Sequence, residues 1–499
     1  MPLKLPSFAP IPIQQDPNAA DENHLAGFDA IIWLLDRDVG DCAGQVPLGR
    51  LLESRSRREP GPTEFLQLGL EGGGQGIAAQ VPSGIESFAA LSLAGRIVKP
   101  LIAAHPARIA VISGLNGTPE AERMAEALAA AFHAGLFAMP RIGQERPPPP
   151  QPDELHFFGA FGAPDFRYAE VTAEGNNLAR WLTHLPGNHL TPGIYHGFAT
   201  ALAEREGWQT EFWDRRQLEK LGAGAFLSVI ASSPRDDGGI LRLRYRPSDT
   251  KGRRPLALVG KGICFDTGGT NLKNASGMLG MHGDMGGSAA ALGTLLALSR
   301  SGFPEPVDCW LALAENHIGP QATRCNDVVT AMDGTTIEII NTDAEGRMVL
   351  ADTLALAVRE EPRAILDFAT LTGSCVAALG HRMSGAMSNR DDWIPELLAA
   401  GQECGERVWP LPAAADYDAD LESPVADIRQ CRPPAEADHI YAARFLNGFV
   451  ANQCGWVHVD LSASSREGGL AHVPTDTTGF GVRFGTEWLQ RLADGRVRC

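Results

Sequence analysis

An apolar strand, a polar loop and a helix follow one another in residues 336–359, TIEIINTDAEGRMVLADTLALAVR. The strand is predicted over Thr336–Ile340. The helix is predicted over Met348–Arg359, where apolar side chains recur with the period of one helical face. Between them lies the charged loop NTDAEGR, residues 341–347. Open α/β sheets carry their functional sites where strands end and loops lead into helices. The stretch therefore predicts an α/β fold with a site in this loop.

The same alternation of strands and helices continues on both sides of this stretch. Short apolar runs predict further strands at 256–259, 309–314, 364–369 and 456–461, and a helix at 287–299. Strands that alternate with helices form a mostly parallel sheet with helices on both faces. We therefore predict an α/β fold with a mixed, mostly parallel central sheet flanked by helices.

The N-terminal third predicts a second, smaller α/β domain. It contains apolar runs at 30–35 and 108–113 and an alanine-rich, helix-like stretch at 119–137. The run RPPPPQP at 146–152 cannot be helical and is typical of a stiff connector, although a surface loop within one domain would have the same composition. The predicted organisation is an N-terminal α/β domain over residues 1–150, a linker and connecting helix over 151–185, and a C-terminal domain over 186–499.

Composition argues against several classes of protein. The chain has 499 residues and a net charge of −17, whereas proteins that bind nucleic acids or anionic membranes normally present a basic face. Its nine cysteines are scattered without a CxxC pair, which argues against a disulfide scaffold or a zinc knuckle. No apolar run is long enough to span a membrane, and no apolar leader is evident. We expect a cytoplasmic protein with no membrane partner and no nucleic-acid partner.

The loop at 341–347 concentrates charged side chains. If its backbone stays extended, Asp343, Glu345 and Arg347 project to one side, because side chains alternate along a strand. Gly346 lacks a Cβ, which lets another group approach the backbone closely. Two carboxylates and a guanidinium on one face indicate a functional site. A solvated loop with a local salt bridge fits the composition equally well.

A second polar stretch, VGKGICFDTGGTNLK, occupies residues 259–273 after another apolar strand. It carries Lys261, Asp266 and Lys273 among glycines. It is not a phosphate-binding loop, because the lysine at 261 is not followed by serine or threonine. Asp284 comes shortly afterwards, just before a predicted helix, where an aspartate is commonly a helix cap.

Together these stretches supply four carboxylates, those of Asp266, Asp284, Asp343 and Glu345. Four negative charges balance two divalent cations, and such a metal pair activates a water molecule that both ions share. Oxygen ligands favour Mn²⁺, Mg²⁺ or Zn²⁺ over soft metals. The sequence contains no HExxH and no GxSxG motif, which argues against a histidine-based zinc peptidase and against a serine hydrolase.

These residues carry a resemblance to a known family. The loop at 341–347 is similar to the signature of the leucyl aminopeptidase family of dinuclear metallo-aminopeptidases, and 260–273, 369–373 and 456–460 resemble further family segments in family order. The resemblance covers roughly residues 170–499. It implies a cytosolic, metal-dependent exopeptidase that releases N-terminal residues, leucine-like ones preferred, from peptide substrates and that assembles as a homohexamer. The alternative is a non-catalytic role such as DNA-binding regulation, which the net charge disfavours.

The resemblance also implies roles for the metal ligands. Lys261 would bind one metal as a neutral amine, and Asp284 would complete that site. Asp266 and Glu345 would bridge both metals, and Asp343 would complete the second, exchangeable site. The implied cofactors are two divalent metal ions per subunit, with Zn²⁺ or Mn²⁺ ahead of Mg²⁺ or Co²⁺.

Further roles follow from the same resemblance. Lys273 would stay cationic and polarise the scissile carbonyl. Arg347 would hold a bicarbonate ion that carries the proton away from the bridging water. Met281, Thr370 and Gly373 would line the pocket for the first side chain of the substrate.

The chain departs from the family pattern in two segments that help to shape the substrate pocket. The family has a Gly-Gly pair after an arginine ahead of a Phe-Leu helix, whereas residues 432–441 read RPPAEADHIY, with no glycine. Residues 460–463 read DLSA in place of the usual Asp-x-Ala-Gly. These departures bear on side-chain preference and not on the chemistry.

Overall fold

The computed structural model describes residues 4–8, 11–36, 65–70, 74–143, 150–248, 250, 252–434, 436–450 and 454–498. The chain divides into two compact units. The larger unit comprises Met1–Pro6, Glu174–Glu467 and Asp476–Cys499, and the smaller one comprises Ser7–Ala173 and Gly468–Thr475. The predicted division, with a boundary at 150 and a linker over 151–185, stays a prediction. Most of the proline-rich run that motivated it lies outside the described residues.

The smaller unit contains a six-stranded sheet. Its strands are β1 (Ile13–Asp16), β2 (Ala30–Leu35), β3 (Phe65–Gly69), β4 (Gln75–Gln80), β5 (Arg108–Ser113) and β6 (Glu154–Phe158). Their order across the sheet is β1-β6-β5-β2-β4-β3, and every neighbouring pair is parallel except β3 with β4. The predicted strands at 30–35 and 108–113 are confirmed. Strand β6 lies in the stretch predicted as a linker, where it pairs with β1 and β5.

In the described part of the smaller unit, three helices accompany this sheet: α1 (Glu22–Leu25), α2 (Ser87–Ile102) and α3 (Pro119–Leu136). Every residue of β2 is buried. Ile32 and Leu34 belong to the apolar cluster that includes α2 and α3, whereas Ile31 and Trp33 belong to a second cluster. The strand is therefore buried on both faces, as expected of a parallel sheet.

The larger unit contains eleven strands in its described part. They are β7 (Gln209–Asp214), β8 (Gly239–Tyr245), β9 (Leu256–Asp266), β10 (Val307–Asn316), β11 (Val328–Thr330), β12 (Thr336–Glu338), β13 (Ala364–Ala369), β14 (Ser384–Ser388), β15 (Val408–Pro410), β16 (Ile428–Arg429) and β17 (Gly455–Asp460). Eight of them form a mixed sheet in the order β15-β14-β17-β13-β9-β10-β8-β7. Its centre, from β17 to β10, is parallel, which confirms the predicted mixed, mostly parallel α/β fold.

The helices of this unit are α4 (Phe166–His184), which begins in the smaller unit, α5 (Pro192–Glu206), α6 (Arg215–Leu221), α7 (Gly224–Ile230), α8 (Ala275–Met278), α9 (Gly286–Ser301), α10 (Glu345–Val358), α11 (Gly373–Leu379), α12 (Ile394–Cys404), α13 (Asp438–Gly448) and α14 (Val482–Ala493). Three short 3₁₀ helices occupy Met281–Gly283, Asp391–Trp393 and Ala415–Leu421. Among the described residues, no helix has the length and apolar character needed to cross a membrane.

The strand predicted at Thr336–Ile340 differs from the observed one. It ends at Glu338 and belongs to a separate three-stranded sheet, β11-β12-β16, rather than to the central sheet. The backbone N–H groups of Ile340 and Asn341 donate to the side-chain oxygen of Gln430 instead of to a neighbouring strand. A glutamine about 90 residues away in sequence thus ends the strand, and no local pattern indicates it.

Candidate metal centre

Lys261 and Asp266 both lie on β9, in the parallel centre of the eight-stranded sheet. Strict alternation would place positions 261 and 266 on opposite faces. The pairing of β9 with β10 matches Ile263 with Ala314 and Asp266 with Asn316, so β9 has one extra residue between these pairs. Because this irregularity reverses the alternation, both side chains reach the same face of the sheet.

Two glycines allow the loops of the site to approach each other. A Cβ on Gly346 would lie 2.5 Å from Cε of Lys261, so only glycine leaves room for that side chain. This is the close approach that the sequence predicts at position 346. Gly268 has a φ of +86°, and a Cβ there would lie 2.8 Å from Oδ1 of Asp343. The loop after β9 can therefore turn back against the 341–347 loop.

Lys261 lies between two buried carboxylates. Its Nζ is 2.8 Å from Oδ2 of Asp284 and 2.9 Å from Oε1 of Glu345. The same ammonium group donates a hydrogen bond to the carbonyl oxygen of Thr370 at 3.0 Å. The side chain of Lys261 is only 4% exposed, so this half of the site is closed to solvent.

Lys273 lies between the other two carboxylates. Its Nζ is 2.8 Å from Oδ2 of Asp266 and 2.6 Å from Oδ1 of Asp343. The side chain of Lys273 is 15% exposed and that of Asp343 is 31% exposed. This half of the site is therefore open to solvent.

The two halves meet at a cluster of carboxylate oxygens. Asp266, Asp343 and Glu345 each offer an oxygen within 4.8 Å of the other two, an arrangement that could hold a metal ion. Asp284 joins the cluster through Lys261. The structure thus brings together all five residues predicted as metal ligands. Lys273, predicted to act on the substrate, lies beside them.

Two polar residues orient the carboxylates, and sequence reasoning did not assign them this role. Asn316 donates from Nδ2 to Oδ1 of Asp266 at 2.8 Å and to the carbonyl of Thr342 at 3.0 Å. Thr370, predicted as a pocket residue, donates its hydroxyl to Oδ1 of Asp284 at 2.7 Å. The sequence does contain one indication of the role of Asn316. It is the last residue of β10, and polar residues at strand ends are expected to face the site.

Burial and mutual repulsion disturb the protonation of the acidic groups. Burial, together with the charge of Asp266, raises the pKa of Glu345 to about 8. Burial also raises the pKa of Asp284 to about 6, although Lys261 acts in the opposite direction. Burial alone would lower the pKa of Lys261, but Asp284, Glu345 and Asp266 outweigh it and raise that pKa. The neutral Lys261 amine predicted from the resemblance thus requires the charge of bound metal.

These observations fit a pair of divalent cations. Four carboxylates face two ammonium groups, so negative charge is in excess at a largely buried site. In the described part of the chain, Oε2 of Glu345 is buried without a hydrogen-bond partner. Hard oxygen donors of this kind suit Mn²⁺, Mg²⁺ or Zn²⁺.

Arg347 forms its salt bridge with Asp438, a carboxylate outside the cluster. The condition that residues 343–347 stay extended is not met, because α10 begins at Glu345 and Arg347 lies in its first turn. The buried guanidinium donates from Nη2 to Oδ2 of Asp438 at 2.7 Å and from Nη1 to the carbonyl oxygen of Gln430 at 3.1 Å. The Asp438 carboxylate thus already neutralises the guanidinium, whereas Nε of Arg347 is buried without a hydrogen-bond partner in the described part of the chain. The predicted bicarbonate ion would have to share the guanidinium with a carboxylate that carries the same charge.

The other two predicted pocket residues, Met281 and Gly373, are close in sequence to residues that contact Lys261. Met281 precedes Asp284, and Gly373 follows Thr370. Met281 is half-buried in the 3₁₀ helix that leads directly to Asp284. Gly373 is exposed and begins α11. Their role in binding the first substrate side chain stays a prediction.

The family model and two similar proteins that match this chain all carry the name cytosol aminopeptidase. Residues 177–485 match the model of the cytosol aminopeptidase family, catalytic domain. A probable cytosol aminopeptidase of Stutzerimonas stutzeri (strain A1501) is 45% identical over 300 residues, which cover 60% of this chain and 60% of the relative. The probable cytosol aminopeptidase of Parasynechococcus marenigrum (strain WH8102) is 39% identical over 381 residues, covering 75% of this chain and 77% of the relative.

Solved structures give the same result over nearly the whole chain. A mutant of tomato leucine aminopeptidase superposes with a TM-score of 0.83 at 29% identity, covering 97% of this chain and 98% of the other. The bottromycin maturation enzyme BotP, in complex with Mn, superposes with a TM-score of 0.79 at 31% identity, covering 93% and 99%.

Proposed function

Because the chain belongs to the cytosol aminopeptidase family and is an aminopeptidase of the hydrolase class, we propose that it acts by a two-metal mechanism on peptides with leucine-like N-terminal residues. The observation that carries this proposal is the carboxylate cluster of Asp266, Asp343 and Glu345, whose oxygens lie within 4.8 Å of one another. The similar enzyme BotP is in complex with Mn, which supports a divalent metal in this chain as well.

Five residues would hold the two ions: Lys261, Asp266, Asp284, Asp343 and Glu345. Zn²⁺ and Mn²⁺ are the first candidates, followed by Mg²⁺ and Co²⁺. A bound pair of divalent ions lowers the pKa of a shared water toward neutrality and polarises the carbonyl to be attacked.

The remaining groups of the centre act on the substrate. Lys273 is partly exposed, and carboxylates raise its pKa, so it keeps its proton. Its ammonium group can donate to the carbonyl oxygen of the scissile bond as negative charge develops there. Met281, Thr370 and Gly373 would receive the first side chain, and a pocket of this composition supports a preference for apolar residues.

The experiment that tests this function uses the full chain. The protein is stripped of metal, then reconstituted with Mn²⁺, Zn²⁺, Co²⁺ or Mg²⁺, and the hydrolysis of Leu-p-nitroanilide is followed beside an N-acetylated control substrate. We expect release only from the free amine and only with metal present. Equal rates on the blocked substrate, or full activity without metal, would contradict the proposal. A gel shift at physiological salt tests the DNA-binding alternative, for which no binding is expected at a net charge of −17.

We also propose that the protein is cytoplasmic and assembles as a homohexamer, as the resemblance implies. Sedimentation equilibrium should then give six times the 53.3 kDa mass of one chain. A monomer or dimer at micromolar concentration would contradict the assembly without affecting the proposed chemistry.

A further inference from the structure

We propose that Asp438 is the built-in anionic partner of Arg347, so that this chain needs no external oxyanion such as bicarbonate at that position. Arg347 is 1% exposed and lies two positions after Glu345 in the first turn of α10. The guanidinium is therefore a buried positive charge next to the metal centre. Such a charge requires an anionic or strongly polar partner, because burying it alone is very costly.

The chain itself supplies that partner. Nη2 of Arg347 donates to Oδ2 of Asp438 at 2.7 Å, a short, charge-assisted hydrogen bond. Nη1 donates to the carbonyl oxygen of Gln430 at 3.1 Å. Both terminal nitrogens of the guanidinium thus have protein partners, and a carboxylate neutralises its charge, while Nε is buried without a hydrogen-bond partner in the described part of the chain.

An additional anion would meet unfavourable electrostatics at this point. It would lie beside the Asp438 carboxylate and near the charge of Glu345, which acts on Arg347 from the same helical turn. Like charges at short range in a buried site repel strongly. Asp438 therefore excludes a second oxyanion instead of helping to bind one.

The segment that carries Asp438 is one of the two that depart from the family pattern. Residues 432–441 contain no glycine, whereas the family has a Gly-Gly pair in this segment. A glycine at position 438 would have no side chain, and Nη2 of Arg347 would then depend on an anion from solution. In this chain Asp438 begins α13, and its side chain is only 18% exposed because it turns toward the guanidinium.

We regard Asp438 as a positioning residue that fixes Arg347 and not as a catalytic residue. The same helix offers a matched control. Arg444 on α13 pairs with Asp418, whose carboxylate lies 2.6 Å away and is 53% exposed. Asp418→Ala removes an aspartate–arginine pair from the same helix without touching Arg347.

The first test measures the dependence of rate on bicarbonate, and it rests on the proposed aminopeptidase function. Wild type, Asp438→Ala and Asp418→Ala are assayed in CO₂-depleted buffer with and without added sodium bicarbonate. The kcat of wild type and of Asp418→Ala should not respond. Asp438→Ala should lose about tenfold or more in kcat, with little change in KM, and bicarbonate should restore most of the loss. Asp438→Asn, which fills the space without charge, should lose activity and not be restored.

The second test needs no activity and separates a failure of this inference from a failure of the proposed function. Thermal unfolding of the metal-free proteins is followed with and without sodium bicarbonate. A ligand that binds only the folded state raises the midpoint, so bicarbonate should stabilise Asp438→Ala and leave wild type unchanged. Stabilisation or stimulation of the wild-type protein by bicarbonate would overturn the inference. So would an Asp438→Ala variant that bicarbonate neither stabilises nor restores.

Discussion

The two lysines of the metal centre have the same kind of neighbours but different surroundings. Lys261 lies within β9, is 4% exposed, and contacts Asp284, Glu345 and the Thr370 carbonyl. Lys273 lies in the loop beyond that strand, is 15% exposed, and contacts Asp266 and Asp343. Each ammonium group joins two carboxylates, yet only Lys261 is held in the interior of the sheet.

This difference indicates how two chemically identical side chains can serve different purposes. A lysine fixed in a buried strand keeps one position, which suits a metal ligand. A lysine on a partly exposed loop can change partners and keep its proton, which suits a donor to the substrate. We therefore expect substitution of Lys261 to alter metal content and substitution of Lys273 to alter turnover.

The largest effect on activity is expected at the two carboxylates that are proposed to bridge the metals, Asp266 and Glu345. Asp266→Ala and Glu345→Ala should each reduce activity to background, because a bridging ligand serves both metals. Glu345→Gln, which keeps the shape of the side chain and removes its charge, should behave like Glu345→Ala. Metal content by elemental analysis and kcat on Leu-p-nitroanilide check this. Near-normal turnover with two ions still bound would sink the bridging assignment.

Substitution of each lysine tests whether the two halves of the centre have different roles. Arginine cannot lose its proton in a protein, so Lys261→Arg should lose a metal ion and activity together. Lys273→Arg should keep its metal and part of its activity. Lys273→Ala should lower kcat by about 10²–10³, equivalent to roughly 3–4 kcal/mol, because one donor to the developing oxyanion is lost. Equal loss of metal from Lys261→Ala and Lys273→Ala would show that the halves do not differ.

A smaller effect on metal content is expected at the open edge. Asp343 is 31% exposed and contacts Lys273 but not Lys261. Asp343→Ala should lose mainly one of the two ions, the exchangeable one, and activity should recover partly at high metal concentration. Retention of both ions at full occupancy after dialysis would contradict this assignment.

The smallest effect on metal binding is expected from a residue that orients a metal ligand without binding the metal itself. Thr370→Val removes the hydroxyl that donates to Oδ1 of Asp284 at 2.7 Å. Metal affinity, measured by titration calorimetry, should fall by about tenfold, as is typical when a partner of a metal ligand is removed. Thr294→Val is the matched control, since that buried hydroxyl donates to the Ala290 carbonyl of its own helix. A comparable loss of affinity in the control would mean that Thr370 acts through stability alone.

The sequence was most informative where local pattern determines structure. The strand at 364–369 has the predicted bounds, and the polar ends of the 256–266 strand and of the 336–340 run come together as expected for strand ends in an α/β fold. Periodicity also predicted α10, apart from its first turn. These elements depend on burial and chain direction, which a single sequence encodes directly.

The features that were missed depend on partners distant in sequence. Gln430 accepts from the backbone of Ile340 and Asn341, just after the end of β12. That strand pairs with β11 and β16 and not with the central sheet. The extra residue in β9 that turns Asp266 toward Lys261 is visible only in the pairing with β10. Likewise, the pairing of Arg347 with Asp438 joins residues 91 positions apart. The spacing of residues within any one of these segments does not indicate contacts with a distant segment.

The most direct test of the central claim is to locate the metals. Crystals of the full chain loaded with Mn²⁺ would be measured at the manganese absorption edge, and anomalous peaks would be counted in the carboxylate cluster. We predict two peaks per subunit, one bonded to Nζ of Lys261 and to Asp284 and the other bonded to Asp343, with Asp266 and Glu345 shared between them. Nζ of Lys273 should be bonded to neither. A single peak, or a peak bonded to Lys273 in place of Lys261, would contradict the account.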